Sequence, residues 1–412
     1  VADLKFRFIG GASAVGNLSL YVEMDGLRML FEHGMTPSKP PDFVPPAPEV
    51  DAAFLTHSHL DHSGTFPRVA RDMDIPVFAT PPTVVTTPLL LYDTLKIARI
   101  EGHDVPFDRN DVLLLDESFH EVHYGKYEEI GPVSFTPHNA GHIPGSAMYE
   151  VNGSRSFLFT GDIQTVNTHL VWGCRPVKTE VLFVESTYAG REHPPRDEVE
   201  RAFIEKIHEV VVDRGGKVIV PAFAVGRTQE LLLVLAKLDY DMWLDGMGRT
   251  VNNIFLQNPE YLRSARKLKK ARRRFNVVSR SSDRKRAMDG DVIVTTGGML
   301  EGGPALHYIN RLKDDEKSAI LLTGYQVEGT NGRLLMDEGV LDLYGRRERI
   351  RMEVCFYDFS AHAGHSELVD FIRKCDPEVV VLCHGDNREA LAEELRGEYK
   401  VMVPDDGMEY GV

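Results

Sequence analysis

Cysteine is scarce in this 412-residue chain. Only Cys174, Cys355, Cys375 and Cys383 are present, and no two form a CxxC pair. That scarcity excludes a disulfide framework and reads as reduced, mostly buried thiols in a cytoplasmic protein. Long apolar runs are also missing. None approaches the ~18 residues of a helical membrane span, and the opening VADLKFRFIGG lacks the basic-then-apolar layout of a signal peptide. Repeats, low-complexity tracts and long linkers are absent as well. Positive charge is in deficit: 47 Lys and Arg face 62 Asp and Glu, a net charge of −15. Such a balance argues against nonspecific nucleic-acid binding by the whole surface. What remains is a chain with 42% hydrophobic and 26% charged residues, long enough for two or three globular domains.

The deficit of positive charge is not uniform. From Arg263 to Arg286, RSARKLKKARRRFNVVSRSSDRKR carries twelve basic residues and one acid, Asp283. A solvated helix face accounts for it as well as a patch that tracks a phosphate backbone, in which case Arg272, Arg273 and Arg274 are candidate RNA contacts.

The first part of the chain reads as β-rich. KFRFIG, LSLYVE and LRMLFE are strands, the last two joined by Asp25-Gly26, a strong hairpin signal. Another hairpin is expected at SAMYEV, Asn152-Gly153 and SFLFTGD. From about Pro194 the pattern becomes alternating α/β: a helix in RDEVERAFIEKIHEVVV, strand KVIVP, helix RTQELLLVLAKL, strands DVIVTT and SAILLTGY. After about Leu343 the β-rich character resumes. An α/β block therefore interrupts a β-rich domain.

The strongest local signal is LTHSHLDHSG, Leu55 to Gly64. His57, His59 and His62 fall within six positions, although the whole chain has only 16 histidines. With Asp61 they make four metal-capable side chains directly after an apolar strand. A tetrahedral zinc takes about four N, O or S ligands, and these four cannot easily all reach one ion. Two pairs can face two ions. Three further candidates lie at strand ends or in glycine-rich loops: His142 in AGHIPGS, Asp162 in FLFTGD and His384 in VVVLCHGDN. Each alone is more often an ordinary loop polar group. Together they complete a seven-ligand set for two zinc ions, with His57, His59 and His142 on one, Asp61, His62 and His384 on the other, and Asp162 shared. Paired cations suit phosphodiester hydrolysis.

These motifs in this order resemble the metallo-β-lactamase superfamily, and later segments narrow the resemblance to the β-CASP nucleases. LFVESTYAGREHP places Glu185 at the family's motif A, DFSAHAGH places His362 at motif B, and LCHGDN places His384 at motif C. PAFAVGRTQE, TTGGMLEGGP and GYQVEGTNGR also look like family segments. The resemblance implies an αββα metallo-β-lactamase core over 1–192 and 345–412, with a β-CASP α/β domain inserted at 193–344. It also implies a catalytic set of Asp61, Glu185 and His362. His362 is suited to protonate a leaving ribose oxygen, with Glu185 keeping its imidazolium populated. Arg227 and Thr228, at a helix start, and Gly297 and Gly298, after a strand, are candidate RNA-backbone contacts.

Histidine at motif C favours the RNA-processing branch of the family, and the glutamate of VEST resembles the polyadenylation-factor nuclease more than RNase J. The expected substrate is single-stranded RNA, cut internally; 5′→3′ exonuclease activity of RNase J type is the alternative. Outside the enzymes, a non-catalytic RNA-binding or scaffold paralogue competes, but such paralogues lose ligands and all seven are present. A small-molecule hydrolase gives no reason for the insert or for the Glu185 and His362 pair. A homodimer or an RNA-processing complex is left open. The sequence departs from the family pattern at Ala14 and Asn17, and at Glu32, which stands where an aspartate is usual and is expected to support the metal loop rather than bind metal.

Overall fold

A computed structural model describes residues 3–327 and 329–412, which form two compact units. One comprises residues up to Asn167, Val171–Glu192 and Ala361–Val412; the other comprises Thr168–Leu170 and His193–Ser360. Among the described residues no helix is long and apolar enough to cross a membrane.

The first unit is built on two seven-stranded sheets. Strand Leu4–Gly10 alternates buried and half-buried residues along its length, the pattern of a strand whose two faces meet different surroundings. It pairs antiparallel with Ser19–Met24, which turns through Asp25 and Gly26 into Leu27–Phe31. Both turn residues have positive φ, 54° and 80°, as a two-residue hairpin of matching twist requires. Ala52–Phe54, Val77–Ala79 and Phe119–Glu121 extend this sheet in parallel. The other sheet carries Val133–Asn139, Ala147–Asn152, Ser156–Phe159, Val181–Glu185 and Val379–Cys383 among its strands.

Phenylalanines from both sheets fill the space between them. Phe6 meets Phe183 at 5.1 Å, Phe54 meets Phe135 at 5.0 Å and Phe31 meets Phe157 at 5.6 Å, all edge to face. Each such pair contributes about 0.5–1.5 kcal/mol beyond its buried area. Further cores join helices Phe66–Asp72, Pro81–Glu101 and Arg109–Ser118 to the first sheet, and His365–Cys375 and Arg388–Leu395 to the second. The order of layers is helix, sheet, sheet, helix, as expected.

The second unit holds a six-stranded parallel sheet in the order Phe275–Val277, Met242–Asp245, Val292–Thr296, Val218–Ala222, Ala319–Leu322, Glu353–Phe356. Its four central strands are nearly continuous buried runs because helices pack on both faces. The domain end expected at 344 lies instead at Ser360. Glu353–Phe356 pairs in parallel with Ala319–Leu322 as an edge strand of this sheet, so RMEVCF belongs to the α/β unit.

Candidate active site

Strands Ser156–Phe159, Val181–Glu185 and Val379–Cys383 run parallel, so their C-terminal ends share one edge. Asp162, Glu185 and His384 sit at or just past those ends. Ala52–Phe54 delivers His57 to His62, and the loop after Val133–Asn139 delivers His142. Two glycines let the loops close up. A Cβ on Gly34 would collide with the Asp61 carbonyl, and one on Gly161, already at φ +54°, would strike Thr56.

Two four-residue clusters result, each with its ligand atoms within 4.8 Å of one another: His57, His59, His142 and Asp162, and Asp61, His62, Asp162 and His384. In the first, His59 Nδ1 lies 3.1 Å from both His57 Nε2 and His142 Nε2. His142 Nδ1 donates to the Ala361 carbonyl at 2.8 Å, which leaves a lone pair on Nε2. Burial and neighbouring imidazoles push His57 and His142 well below the usual histidine range, so both rings are neutral.

In the second cluster, Asp162 Oδ2 is 3.2 Å from His62 Nε2 and Oδ1 is 3.6 Å from His384 Nε2. Asp61 Oδ2 reaches the same nitrogens at 3.6 and 3.5 Å. Asp162 thus faces both clusters.

Glu32 orients the loop as expected. It accepts from the Thr56 amide at 2.7 Å and from His62 Nδ1 at 2.7 Å, turning Nε2 of His62 inward. Such supporting bonds fix a ligand's tautomer and orientation. Glu32 and His384 both hold the left-handed backbone region, at φ 63° and 51°. For non-glycine residues that conformation costs about 1–3 kcal/mol and clusters at functional sites. At Asn17, another departure in this region, the side chain donates to Asp42 at 2.6 Å, and Leu18 N donates to the Asp61 carbonyl.

Glu185 is buried, not a surface acid. Its Oε1 accepts from Ile163 N at 2.8 Å and from His362 Nδ1 at 3.0 Å, while Oε2 accepts from Thr187 N at 3.2 Å. His362 Nε2 then lies 3.9 Å from Asp162 Oδ2. Burial alone would lower the His362 pKa, but the charges of Glu185 and Asp162 push it up to about 9. The Glu185 and His362 pair of motifs A and B is therefore brought together, and it lies beside Asp162.

The geometry has counterparts among known proteins. A metallo-beta-lactamase superfamily domain signature matches residues 21–167, a Beta-Casp domain 228–335, and a Zn-dependent metallo-hydrolase RNA specificity domain 347–404. "Probable RNase MJ4" of Methanocaldococcus jannaschii is 36% identical over 94% of each chain. "RNase aCSPSF2" of Saccharolobus solfataricus is 35% identical, covering 98% of this chain and 84% of that one. The chain belongs to the β-CASP family of the metallo-β-lactamase superfamily. "Transcription termination factor FttA" of M. jannaschii is 34% identical over 96% of this chain and 69% of its own length. In fold alone, the chain is similar to a protein of unknown function from Enterococcus faecalis V583, with TM-score 0.61 at 12% identity over 99% of this chain and 100% of that one.

Membership of this β-CASP family makes the protein a metal-dependent hydrolase of the nuclease type, and the donor set fits a divalent cation. Asp162 Oδ1 and both ring nitrogens of His384 are buried with no hydrogen-bond partner among the described residues. Buried polar atoms are ordinarily paired. Here they converge with imidazole lone pairs and two carboxylates, the hard-to-borderline donors that suit such ions.

The expected RNA contacts fare unevenly. Thr228 is a correction: it is fully buried, and both its amide and its hydroxyl donate to the Phe223 carbonyl, so no donor is left for a phosphate. Arg227 is half-buried, and its charge helps His193 hold the Asp358 carboxyl below its usual range against burial. Gly298 is buried against Phe223, and a Cβ on Gly297 would meet the Gly302 carbonyl, so close packing accounts for both. Arg272 donates to the Phe275 carbonyl and Arg274 to Leu238 and Asp239, while Arg273 is exposed. Reading by residue type passes over Thr56, Gln164 and the Ala361 carbonyl. Their roles arise from loop contacts that leave no spacing signal.

Proposed function

We propose that this protein is a two-zinc ribonuclease that cuts single-stranded RNA internally, leaving 3′-hydroxyl and 5′-phosphate ends. The observation that carries the reading is the Glu185 and His362 pair set against the seven-donor cluster. His57, His59 and His142 would hold one zinc, Asp61, His62 and His384 the other, and Asp162 both. Bound zinc supplies Lewis acidity toward a phosphodiester oxygen and lowers the pKa of water near it. The chain's own contribution is the proton. Water's oxygen bonds to phosphorus as the bond from phosphorus to the ribose O3′ breaks; His362 Nε2 gives its proton to O3′, the proton shed by the water restores the imidazolium, and the water's oxygen remains on the 5′-phosphate. Glu185 holds His362 through Nδ1, and its other bonds, to Ile163 and Thr187, hold Glu185. The names of the relatives, two ribonucleases and a termination factor, support a place in RNA processing or transcription termination. All four cysteines are unpaired, in keeping with a reducing cytoplasm.

Internal cutting is tested on a circular RNA, which offers no end. Zinc-loaded protein is expected to linearise it. Intact circles beside mononucleotide release from a 5′-monophosphorylated linear RNA would make the protein a 5′→3′ exonuclease.

The basic stretch supplies a separate expectation. Helix Ala265–Arg272 buries Leu268 and Ala271 and exposes Arg266, Lys267, Lys269 and Lys270. Reversing these four charges should weaken RNA binding and flatten its dependence on salt, since each lost phosphate contact reduces the slope by about 0.7 for a single strand. Metal content should not change. An unaltered slope returns this face to simple solvation.

A further inference from the structure

We infer that Gln164 is a positioning residue for His362 as proton donor, an assignment that rests on the ribonuclease reading above. Glu185 orients the imidazole, but a bond to the ring does not by itself place the backbone that carries it. Motif B begins where the chain re-enters the first unit at Ala361, and helix His365–Cys375 starts three residues beyond His362. Between those points the backbone lies in no helix or strand. Bonds to the loops around it set its position.

Three such bonds hold three successive residues. His142 Nδ1 donates to the Ala361 carbonyl at 2.8 Å, Gln164 Nε2 donates to the His362 carbonyl at 2.8 Å, and Ala363 N donates to the Ile163 carbonyl at 2.7 Å. Two of them involve the pair of residues that directly follows Asp162. Ile163 N also donates to Glu185 Oε1, the oxygen that accepts from His362 Nδ1. Of the three ties, the one from Gln164 comes from a side chain outside the metal clusters and the acid pair.

Gln164 is itself held in place. Its side chain is buried, and while Nε2 donates to His362, Oε1 accepts from Val166 N at 3.0 Å. An amide turned over would set its oxygen against a carbonyl and its NH2 against an N–H, so one orientation is enforced. The backbone of Gln164 is pinned as well: its N donates to the Ala140 carbonyl at 3.0 Å, and its carbonyl accepts from Cys174 N at 2.7 Å. An amide fixed at four points couples the place of the Asp162 loop to the His362 backbone. That coupling bears on the reaction, because a proton donor must come within hydrogen-bond reach of the departing oxygen. A misplacement of about 1 Å can cost ~100-fold in rate.

The test is single-turnover cleavage by the zinc-loaded full chain of two single-stranded RNAs, one ordinary and one with sulfur in place of O3′ at a defined linkage. A thiolate departs without being protonated, so the sulfur substrate needs no general acid. Gln164→Met removes both side-chain bonds at similar volume. Gln164→Glu keeps an acceptor for Val166 N but offers no donor to the His362 carbonyl. Both variants should cut the ordinary RNA about 10–100-fold more slowly and the sulfur RNA at close to the parent's rate. Zinc content and RNA affinity should match the parent's. His362→Ala, the reference, should show the same selectivity with a larger loss. Where it does, equal slowing of both RNAs by the Gln164 variants, slowing of neither, or loss of zinc overturns the positioning role and leaves the ribonuclease reading in place. A parental rate for Gln164→Glu alone would assign the effect to Val166 and overturn it too. If the parent cuts neither RNA, or His362→Ala slows both equally, the reading of the site fails and the inference with it.

Discussion

Asp162→Ala should empty both metal positions and abolish most RNA cleavage. Its carboxylate is the one group common to the two clusters, with Oδ2 3.2 Å from His62 Nε2, 3.6 Å from His57 Nε2 and 3.7 Å from His142 Nε2, and Oδ1 3.6 Å from His384 Nε2. Removing it takes a negative charge from a site crowded with imidazoles and a donor from each ion. The loss should exceed the ~10–100-fold typical of residues that only orient a ligand. His384→Ala is the informative contrast, because His384 belongs to only one of the two clusters and should mainly empty one position. Elemental analysis of zinc-reconstituted proteins reads the difference directly. About two ions per chain are expected in the parent. Retention of both by Asp162→Ala would show that the carboxylate is not shared.

The parts of this site legible in the sequence are those where chemistry is local. His57, His59, Asp61 and His62 announce themselves by density, and His142, Asp162 and His384 by their position after apolar strands. Glu185 and His362 were legible through the family motifs that contain them. Thr56, Gln164 and the Ala361 carbonyl were not, because a hydrogen bond between loops leaves no trace in spacing. Thr228 was misread for the same reason: a threonine at a helix start looks available until the Phe223 carbonyl is found to take both its donors.

The fold shows the same division. Hairpin chemistry at Asp25-Gly26 and the apolar runs of the parallel sheet gave strands correctly. Helix Pro81–Glu101 carried no clear amphipathic stripe, since its buried face includes Thr83, Thr86, Thr87 and Thr94 while Val85, Ile97 and Ile100 are exposed. The end of the inserted unit was missed because an edge strand such as Glu353–Phe356 reads the same in either domain. Only its pairing with Ala319–Leu322 decides which sheet owns it.

His362→Ala separates chemistry from metal binding. The imidazole touches Asp162 only at 3.9 Å and is held by Glu185, outside both four-residue clusters. Its removal should therefore leave zinc content and RNA affinity close to the parent's. Turnover should fall by about 10²–10⁴-fold, the range associated with a positioned general acid. Glu185→Gln should move in the same direction by less, because the amide oxygen still accepts from His362 Nδ1 but no longer supplies the charge that favours the imidazolium. Single-turnover cleavage measured beside elemental analysis distinguishes the outcomes. If His362→Ala loses zinc in proportion to activity, His362 is a metal ligand and the proton must come from elsewhere. If it keeps both zinc and full turnover, the departing ribose oxygen needs no acid from this side chain, and the Glu185 and His362 pair is structural.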